Sequence, residues 1–268
     1  MMLEEVDRQH FGCIGINLRL GDDSQLCGRG MMCPKCEQRR AGKRAWNLTR
    51  RLENDILVAE DAGLDLQVGV LTLTLPGQEH PIRHASLRKQ YDYVTQRRSV
   101  SGHAGLHSMR GLNKKLLEWG VSGGCHNLEF TWNPKKEWWN LHTHSVIVGY
   151  ADDLESAGFP LVQSGLSYRR ILGEPWLMDQ QQEHKSSTEL YRLGFGGLYT
   201  LDWAKQSEFE QAIRYCSKVA YATKPVKAPK EKRLELKRFF NGNDGATYPR
   251  LSRPIGDWGR AFVPTEPV

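Results

Sequence analysis

The chain has 268 residues, with 37 Lys+Arg against 31 Asp+Glu, a formal net charge of +6 and a pI near 9.0. Hydrophobic residues make up 39% and charged residues 25%, a composition that can bury a core and excludes wholesale disorder. No uncharged apolar run approaches the ~18–20 residues of a membrane helix, and the start MMLEEVDRQH is acidic where a secretory leader is basic and then apolar, so a soluble cytoplasmic protein is expected.

Four of the six cysteines, Cys13, Cys27, Cys33 and Cys36, cluster near the N-terminus, the last two as a C-x2-C knuckle in MMCPKCEQRR. Disulfides would need an oxidising compartment, so a structural Zn²⁺ held by four thiolates is the better reading, with His10 able to replace Cys13. Cys125 and Cys216 are isolated and read as small buried hydrophobes.

After the knuckle, Ala41, Ala45, Leu48, Leu52, Ile56 and Ala59 recur at helical spacing up to Gly63, predicting an amphipathic helix over residues 37–61. Seven basic residues (Lys35, Arg39, Arg40, Lys43, Arg44, Arg50, Arg51) against Glu37 fall on or beside it. A second block, Arg214–Arg260, holds twelve basic residues and four acids, which leaves the remainder of the chain net acidic. Two separated basic blocks suit phosphate-binding surfaces, with Arg39, Arg40, Lys43 and Arg44 as candidate DNA contacts; the plain alternative is a solvated helix face and tail.

Leu66–Leu75 (LQVGVLTLTL) reads as a buried strand closed by Pro76-Gly77, and Ser86–Arg98 and Ser108–Trp119 as helices, the second stopped by Gly120. Cys125–Trp132 and Leu141–Gly149 read as an antiparallel hairpin around the connector NPKKEWWN. Trp138 and Trp139 fall in that connector, where they can stack on unpaired bases or simply pack; for Trp132 core packing is preferred. Residues 150–206 read as an irregular excursion. Beyond them Ser207 and Glu210 match a capping box, and Phe209, Ala212, Ile213, Cys216, Val219 and Ala220 form an apolar helical stripe ending before Pro225. The order of elements predicts an α+β fold with an antiparallel central sheet flanked by helices, in three parts: a Cys-rich zinc-binding segment and basic helix (1–64), a central domain (65–225) and a basic C-terminal segment (226–268).

His142 and His144 flank Thr143 mid-strand, so both imidazoles share one sheet face, as two ligands of one metal or as a pair on a polar face. A symmetric loop over 133–140 places Glu129 opposite His144 on that same face, adding a carboxylate. The helix after Ser207 carries Tyr215 and Lys218 on one side, with Tyr215 bordering the apolar stripe.

Taken together, LTLTL, LHTHSVIV and the Tyr-x-x-Lys run YCSK, in this order, resemble the HUH endonucleases, specifically the rolling-circle replication initiators of small plasmids and phages. The cysteine-containing start MMCPKCEQRR and the segment RLSRPIGDWG also look like that group, so the similarity runs from about residue 27 to 260. Thr143 departs from the bulky apolar residue usual between the histidines, but it points away from the metal face.

The resemblance implies a ferredoxin- or RRM-like endonuclease that nicks and rejoins single-stranded DNA through a 5′-phosphotyrosine. Tyr215 would be the nucleophile, Lys218 the group that lowers its pKa or offsets charge, and Glu129, His142 and His144 the ligands of a catalytic Mg²⁺ or Mn²⁺. The implied partners are single-stranded or hairpin origin DNA, a host helicase, since no Walker-type loop occurs in the chain, and a polymerase. Gln211 stands where some initiators carry a second-step glutamate; Glu210 is one residue off and Tyr221 is 120° around the helix, so a single-tyrosine mechanism is expected. The competing readings are a transposase built on the same motifs, a non-enzymatic zinc-stabilised nucleic-acid-binding protein, and a metal hydrolase using the HxH pair.

Overall fold

The computed structural model describes residues 34–77, 79–95, 108–159, 190, 193–196, 199–217, 228–241 and 249–260. Helix α1 (Pro34–Ala62) begins on a proline, whose fixed φ suits a first helical turn. It ends in a Schellman closure: Gly63, at φ 65, donates to the Glu60 carbonyl and Leu64 to that of Ala59 at 2.8 Å. Strand β1 (Leu66–Thr74) follows at once. A 3₁₀ turn (Pro81–His84), α2 (Leu87–Thr95) and α3 (Ser108–Glu118) then lead to the long hairpin β2 (Val121–Asn133) and β3 (Trp138–Tyr150). Beyond it lie a short helix α4 (Ala151–Ser156), β4 (Tyr199–Ala204), α5 (Phe209–Ser217), α6 (Lys230–Asn241) and β5 (Ser252–Gly256).

All five strands pair antiparallel in the order β4-β1-β3-β2-β5. This is the α+β class expected, an antiparallel sheet flanked by helices. The connection through α2 and α3 carries the chain from β1 past β3 to β2, so the two strands flank β3 in the same direction.

Alternation along the strands creates two cores. On one face Leu71, Leu73, Leu128, Phe130, Trp139, Leu141 and Ile147 meet Leu87 and Tyr91 of α2, Leu112 and Leu116 of α3, and Phe239 of α6. On the other, Val68, Val70, Cys125, Val146 and Val148 meet Leu52 of α1, and Phe209, Ala212, Ile213 and Cys216 of α5. Both Cys125 and Cys216 are buried here, and burial pushes their thiols up, as befits the hydrophobe role expected of them.

The hairpin differs from expectation in register. Both strands run further toward the tip, leaving only Pro134–Glu137 as the turn, which is organised by Asn133 Oδ1 accepting from the amides of Lys135 and Lys136. Glu129 therefore pairs with His142, and Asn127 with His144. The expected pairing of Glu129 with His144 is wrong by two residues, but a shift of two preserves the face of every side chain.

The same extension moves Trp138 and Trp139 out of the loop. Trp139 is 1% exposed in the core, its ring edge-on to Trp132 and its Nε1 donating to Glu235, so it cannot stack on a base. Trp138 is half-buried at the start of β3, edge-on to His84 with Lys136 above its ring.

Three further expectations change. The capping box does not form among the described residues: Ser207 lies inside a 3₁₀ turn (Gln206–Glu208), and Glu210 accepts from Arg214 at 2.6 Å. Residues 150–206 are not wholly irregular, since they supply α4 and the edge strand β4. Nor do residues 34–64, 228–241 and 249–260 stand apart from the centre in their packing. Leu52 and Phe239 enter the two shared cores, β5 extends the sheet, and Trp258 Nε1 donates to Asp55 Oδ2 of α1 at 2.7 Å.

Candidate metal centre

The β1 sequence LTLT sends Leu71 and Leu73 into one core and Thr72 and Thr74 onto the opposite face. There β1 lies beside β3, with Thr72 paired to His144 and Thr74 to His142. On the far side of β3, Glu129 pairs with His142. Three adjacent strands therefore present two threonines, two imidazoles and a carboxylate on one patch, at the rim of the aliphatic core formed with α1 and α5.

Within the patch the carboxylate is shared. Glu129 Oε2 stands 3.2 Å from His142 Nε2 and 3.0 Å from His144 Nε2, and one ligand atom from each of the three residues lies within 4.8 Å of the others. Glu129 and His144 are buried, at 5% and 8% exposure. The outer ring nitrogens are held from behind: His144 Nδ1 contacts Thr72 Oγ1 at 3.0 Å, and His142 Nδ1 the Asn140 carbonyl at 3.3 Å. A carbonyl only accepts, so the second contact requires the proton on Nδ1, which in a neutral imidazole leaves the Nε2 lone pair of His142 facing Glu129. A lone pair and a carboxylate facing each other in a buried site call for positive charge between them, a second ring proton or a metal ion.

The donor set fits a divalent metal ion. Neighbouring ligands of an octahedral ion at about 2.1 Å stand roughly 3.0 Å apart, close to the observed nitrogen–oxygen separations. Imidazoles supported through Nδ1 are the usual arrangement behind a metal. Asn140 is itself braced: Arg83 donates to its Oδ1, to the Leu75 carbonyl at 2.6 Å and to the Pro76 carbonyl at 2.6 Å, tying the end of β1 to the start of β3.

Tyr215 approaches from above. Helix α5 packs Phe209, Ala212, Ile213 and Cys216 into the core and leaves Tyr215 half-buried at its edge, its ring meeting that of His144 edge-on at 5.2 Å between centroids. The structure thus brings together Glu129, His142, His144 and Tyr215, four of the five residues that the sequence assigned to one centre; the fifth, Lys218, lies outside the described residues.

Other expected residues fall elsewhere. Lys218 and Tyr221 lie outside the described residues, as do Cys13, Cys27 and Cys33; Cys36, Arg39 and Arg40 are placed on α1 by their backbone only. Lys43 is exposed and Arg44 half-buried on α1. Several basic residues are already engaged: Arg50 with Glu53, Arg51 with the Arg260 carbonyl, Arg214 with Glu210, and Lys232 with Glu235.

Thr72, Asn127, Asn140 and Arg83 were not singled out from the sequence as site residues. The alternation of LTLTL was the available signal for Thr72, and a shift of register hid Asn127; nothing local marks Arg83. No helix among the described residues is long and apolar enough to cross a membrane. Comparisons with family models, with curated proteins and with solved structures find no match to this chain.

Proposed function

We propose that this chain is a metal-dependent single-strand DNA nickase and strand-joining enzyme of the HUH type, acting as an initiator of rolling-circle replication. The observation that carries the reading is the approach of Tyr215 to His144 over the Glu129–His142–His144 cluster. A phenol beside a three-ligand metal site on a sheet face is an arrangement suited to phosphoryl transfer. A second support is the strand order β4-β1-β3-β2, which is the ferredoxin-like arrangement that the sequence resemblance implies.

In the proposed reaction the Tyr215 oxygen attacks the scissile phosphorus in line, forming a phosphorus–oxygen bond as the bond to the 3′-oxygen breaks. The phenolic proton is transferred, in net, to the leaving oxygen, giving a 3′-hydroxyl and a 5′-phosphotyrosine. Attack by a 3′-hydroxyl on the phosphotyrosine reverses these changes and rejoins strands without an external energy source. Glu129, His142 and His144 would hold a Mn²⁺ or Mg²⁺, which supplies positive charge for the phosphate oxygens. Mixed imidazole and carboxylate ligation favours Mn²⁺ of the two. His144 sets the height of the Tyr215 ring above the cluster, and Thr72 fixes His144.

Lys218 belongs to the proposal as the cation beside the phenolate, and Cys13, Cys27, Cys33 and Cys36 as a structural zinc set. Lys43 and Arg44 of α1, with Arg39 and Arg40 on the same helix, would follow the backbone of origin DNA. The 3′-hydroxyl produced is a primer terminus for a polymerase, with strand separation left to a helicase.

The test is incubation of the chain with Mn²⁺ and a pool of random single-stranded DNA, read as protein–DNA adducts on a denaturing gel. An adduct that requires metal and is lost in Tyr215→Phe and in Glu129→Ala is expected, and sequencing the captured strands would give the cleavage site. Binding without an adduct returns the chain to a non-enzymatic nucleic-acid-binding protein. Metal-dependent hydrolysis that survives Tyr215→Phe assigns it to the hydrolases.

A further inference from the structure

Asn127 lies on β2 two residues before Glu129 and directly opposite His144, so its side chain rises from the same face as the metal cluster. It is 8% exposed, and its Nδ2 is buried without a hydrogen-bond partner among the described residues. A buried amide hydrogen with no acceptor is costly, and polar side chains inside folded proteins are otherwise paired.

Neither lateral neighbour answers it. Across β3, His144 has both nitrogens engaged, Nδ1 by Thr72 and Nε2 by Glu129. Across the other edge, Asn127 pairs in register with Ser252, but the Ser252 hydroxyl contacts the Cys125 thiol at 3.1 Å.

The unanswered group is a donor, which repels a cation and suits an anionic oxygen. It flanks His144 on the side opposite Thr72, and Tyr215 covers the same imidazole from above. A phosphate presented to Tyr215 over the cluster would bring an oxygen beside this amide.

We propose that the Asn127 side-chain amide donates a hydrogen bond to a nonbridging oxygen of the scissile phosphate, making Asn127 a catalytic residue of the centre. The assignment rests on reading the site as a phosphodiester transesterification centre. Asn127 is thereby distinguished from the residues that orient metal ligands: its contribution falls on the rate of bond exchange and not on retention of the metal ion.

The experiment uses the full-length chain and the oligonucleotide captured by the wild-type protein. Single-turnover cleavage and Mn²⁺ affinity are measured side by side for wild type, Asn127→Ala and Asn127→Asp. Asn127→Ala is expected to cleave about 10²-fold more slowly, the usual loss on removing one donor to a developing anion, with Mn²⁺ affinity unchanged. Asn127→Asp, which keeps the shape but sets a carboxylate against the phosphate, is expected to be slower still, and it carries the test if the alanine variant does not fold.

A second measurement replaces each nonbridging oxygen at the cleavage site in turn by a methyl group. One of the two isomers should penalise the wild type far more than the Asn127 variant. Wild-type cleavage rates in the variants would overturn the proposal, and so would a rate loss matched by an equal loss of Mn²⁺ affinity or equal isomer penalties in both proteins. Absence of any adduct with the wild type would instead overturn the nickase reading itself, and this assignment with it.

Discussion

His142 and His144 are held in place by groups that stand behind them. Thr72 reaches Nδ1 of one ring, and the Asn140 carbonyl, steadied through Arg83, meets Nδ1 of the other. Removing such a support costs roughly 10–100-fold in metal affinity without removing a ligand. Isothermal titration with Mn²⁺ should therefore show losses of that order for Thr72→Val and for Arg83→Lys, whose ammonium cannot reproduce the fork that holds Leu75, Pro76 and Asn140 together. Glu129→Ala should remove binding altogether. Unchanged affinity in Arg83→Lys would mean that His142 is oriented by the strand alone. At this scale the candidate ligands were legible because HxH in a strand fixes a face. Their supports were not, since Arg83 reaches the site from a 3₁₀ turn that no periodicity announces.

At the scale of elements, β2 and β3 show what sequence pattern can and cannot determine. The alternation of apolar and polar residues from Leu128 to Trp132 decides which face Glu129 occupies, because the opposite choice would expose Leu128 and Phe130. The pairing partner depends instead on where the turn closes, and Asn133 closes it with its side chain only five residues before Trp138.

Helix α1 was legible from its apolar stripe and Gly63 stop, but its tie to the C-terminal segment was not, since that contact spans most of the chain. Trp258 bonds Asp55 and fills space above Gly123, where an added Cβ would meet the indole at 2.5 Å. Burial raises the pKa of the Asp55 carboxyl while the indole donor lowers it. Trp258→Phe should therefore leave that carboxylate partly buried without its donor and cost about 1–3 kcal/mol in urea unfolding at neutral pH. A loss below a few tenths of that range would show that β5 is held by its ladder alone.

For the whole molecule, one sheet separates two environments: a face that carries the candidate metal centre, rimmed by α1 and α5, and a structural face covered by α2, α3 and α6. His126 belongs to the structural face. Its Nδ1 meets Ser145 Oγ at 2.6 Å and its Nε2 meets Asn113 Oδ1 at 2.5 Å, so it links β2, β3 and α3. Burial, with the Arg253 guanidinium nearby, pushes its pKa down to about 3 from an ordinary 6.5.

The folded protein therefore keeps His126 neutral while the unfolded chain protonates it below pH 6.5. The unfolded state then binds more protons, and stability should fall as pH drops from about 6.5 toward 3, by up to about 1.4 kcal/mol per pH unit from this group. Urea midpoints measured from pH 7 to pH 4 should show a shallower decline in His126→Gln than in wild type. Parallel curves would place the acid sensitivity elsewhere.

The α+β class, strands β1 to β3 and helices α1, α2, α3 and α5 were readable from periodicity, whereas the edge strands β4 and β5 and helix α6 were not. That Leu52 of α1 and Phe239 of α6 enter the cores of the central sheet was not readable, because shared cores are made by contacts between distant segments.

The central claim is that Tyr215 carries the strand. It is tested most directly by trapping the adduct with single-stranded DNA and Mn²⁺, digesting it with nuclease and trypsin, and locating the added nucleotide mass by spectrometry. Trypsin releases Tyr215 within the short peptide YCSK. The account predicts the phosphonucleotide on that peptide and its loss in Tyr215→Phe; the mass on another peptide, such as the one holding Tyr221, or cleavage with no modified peptide at all, would contradict it.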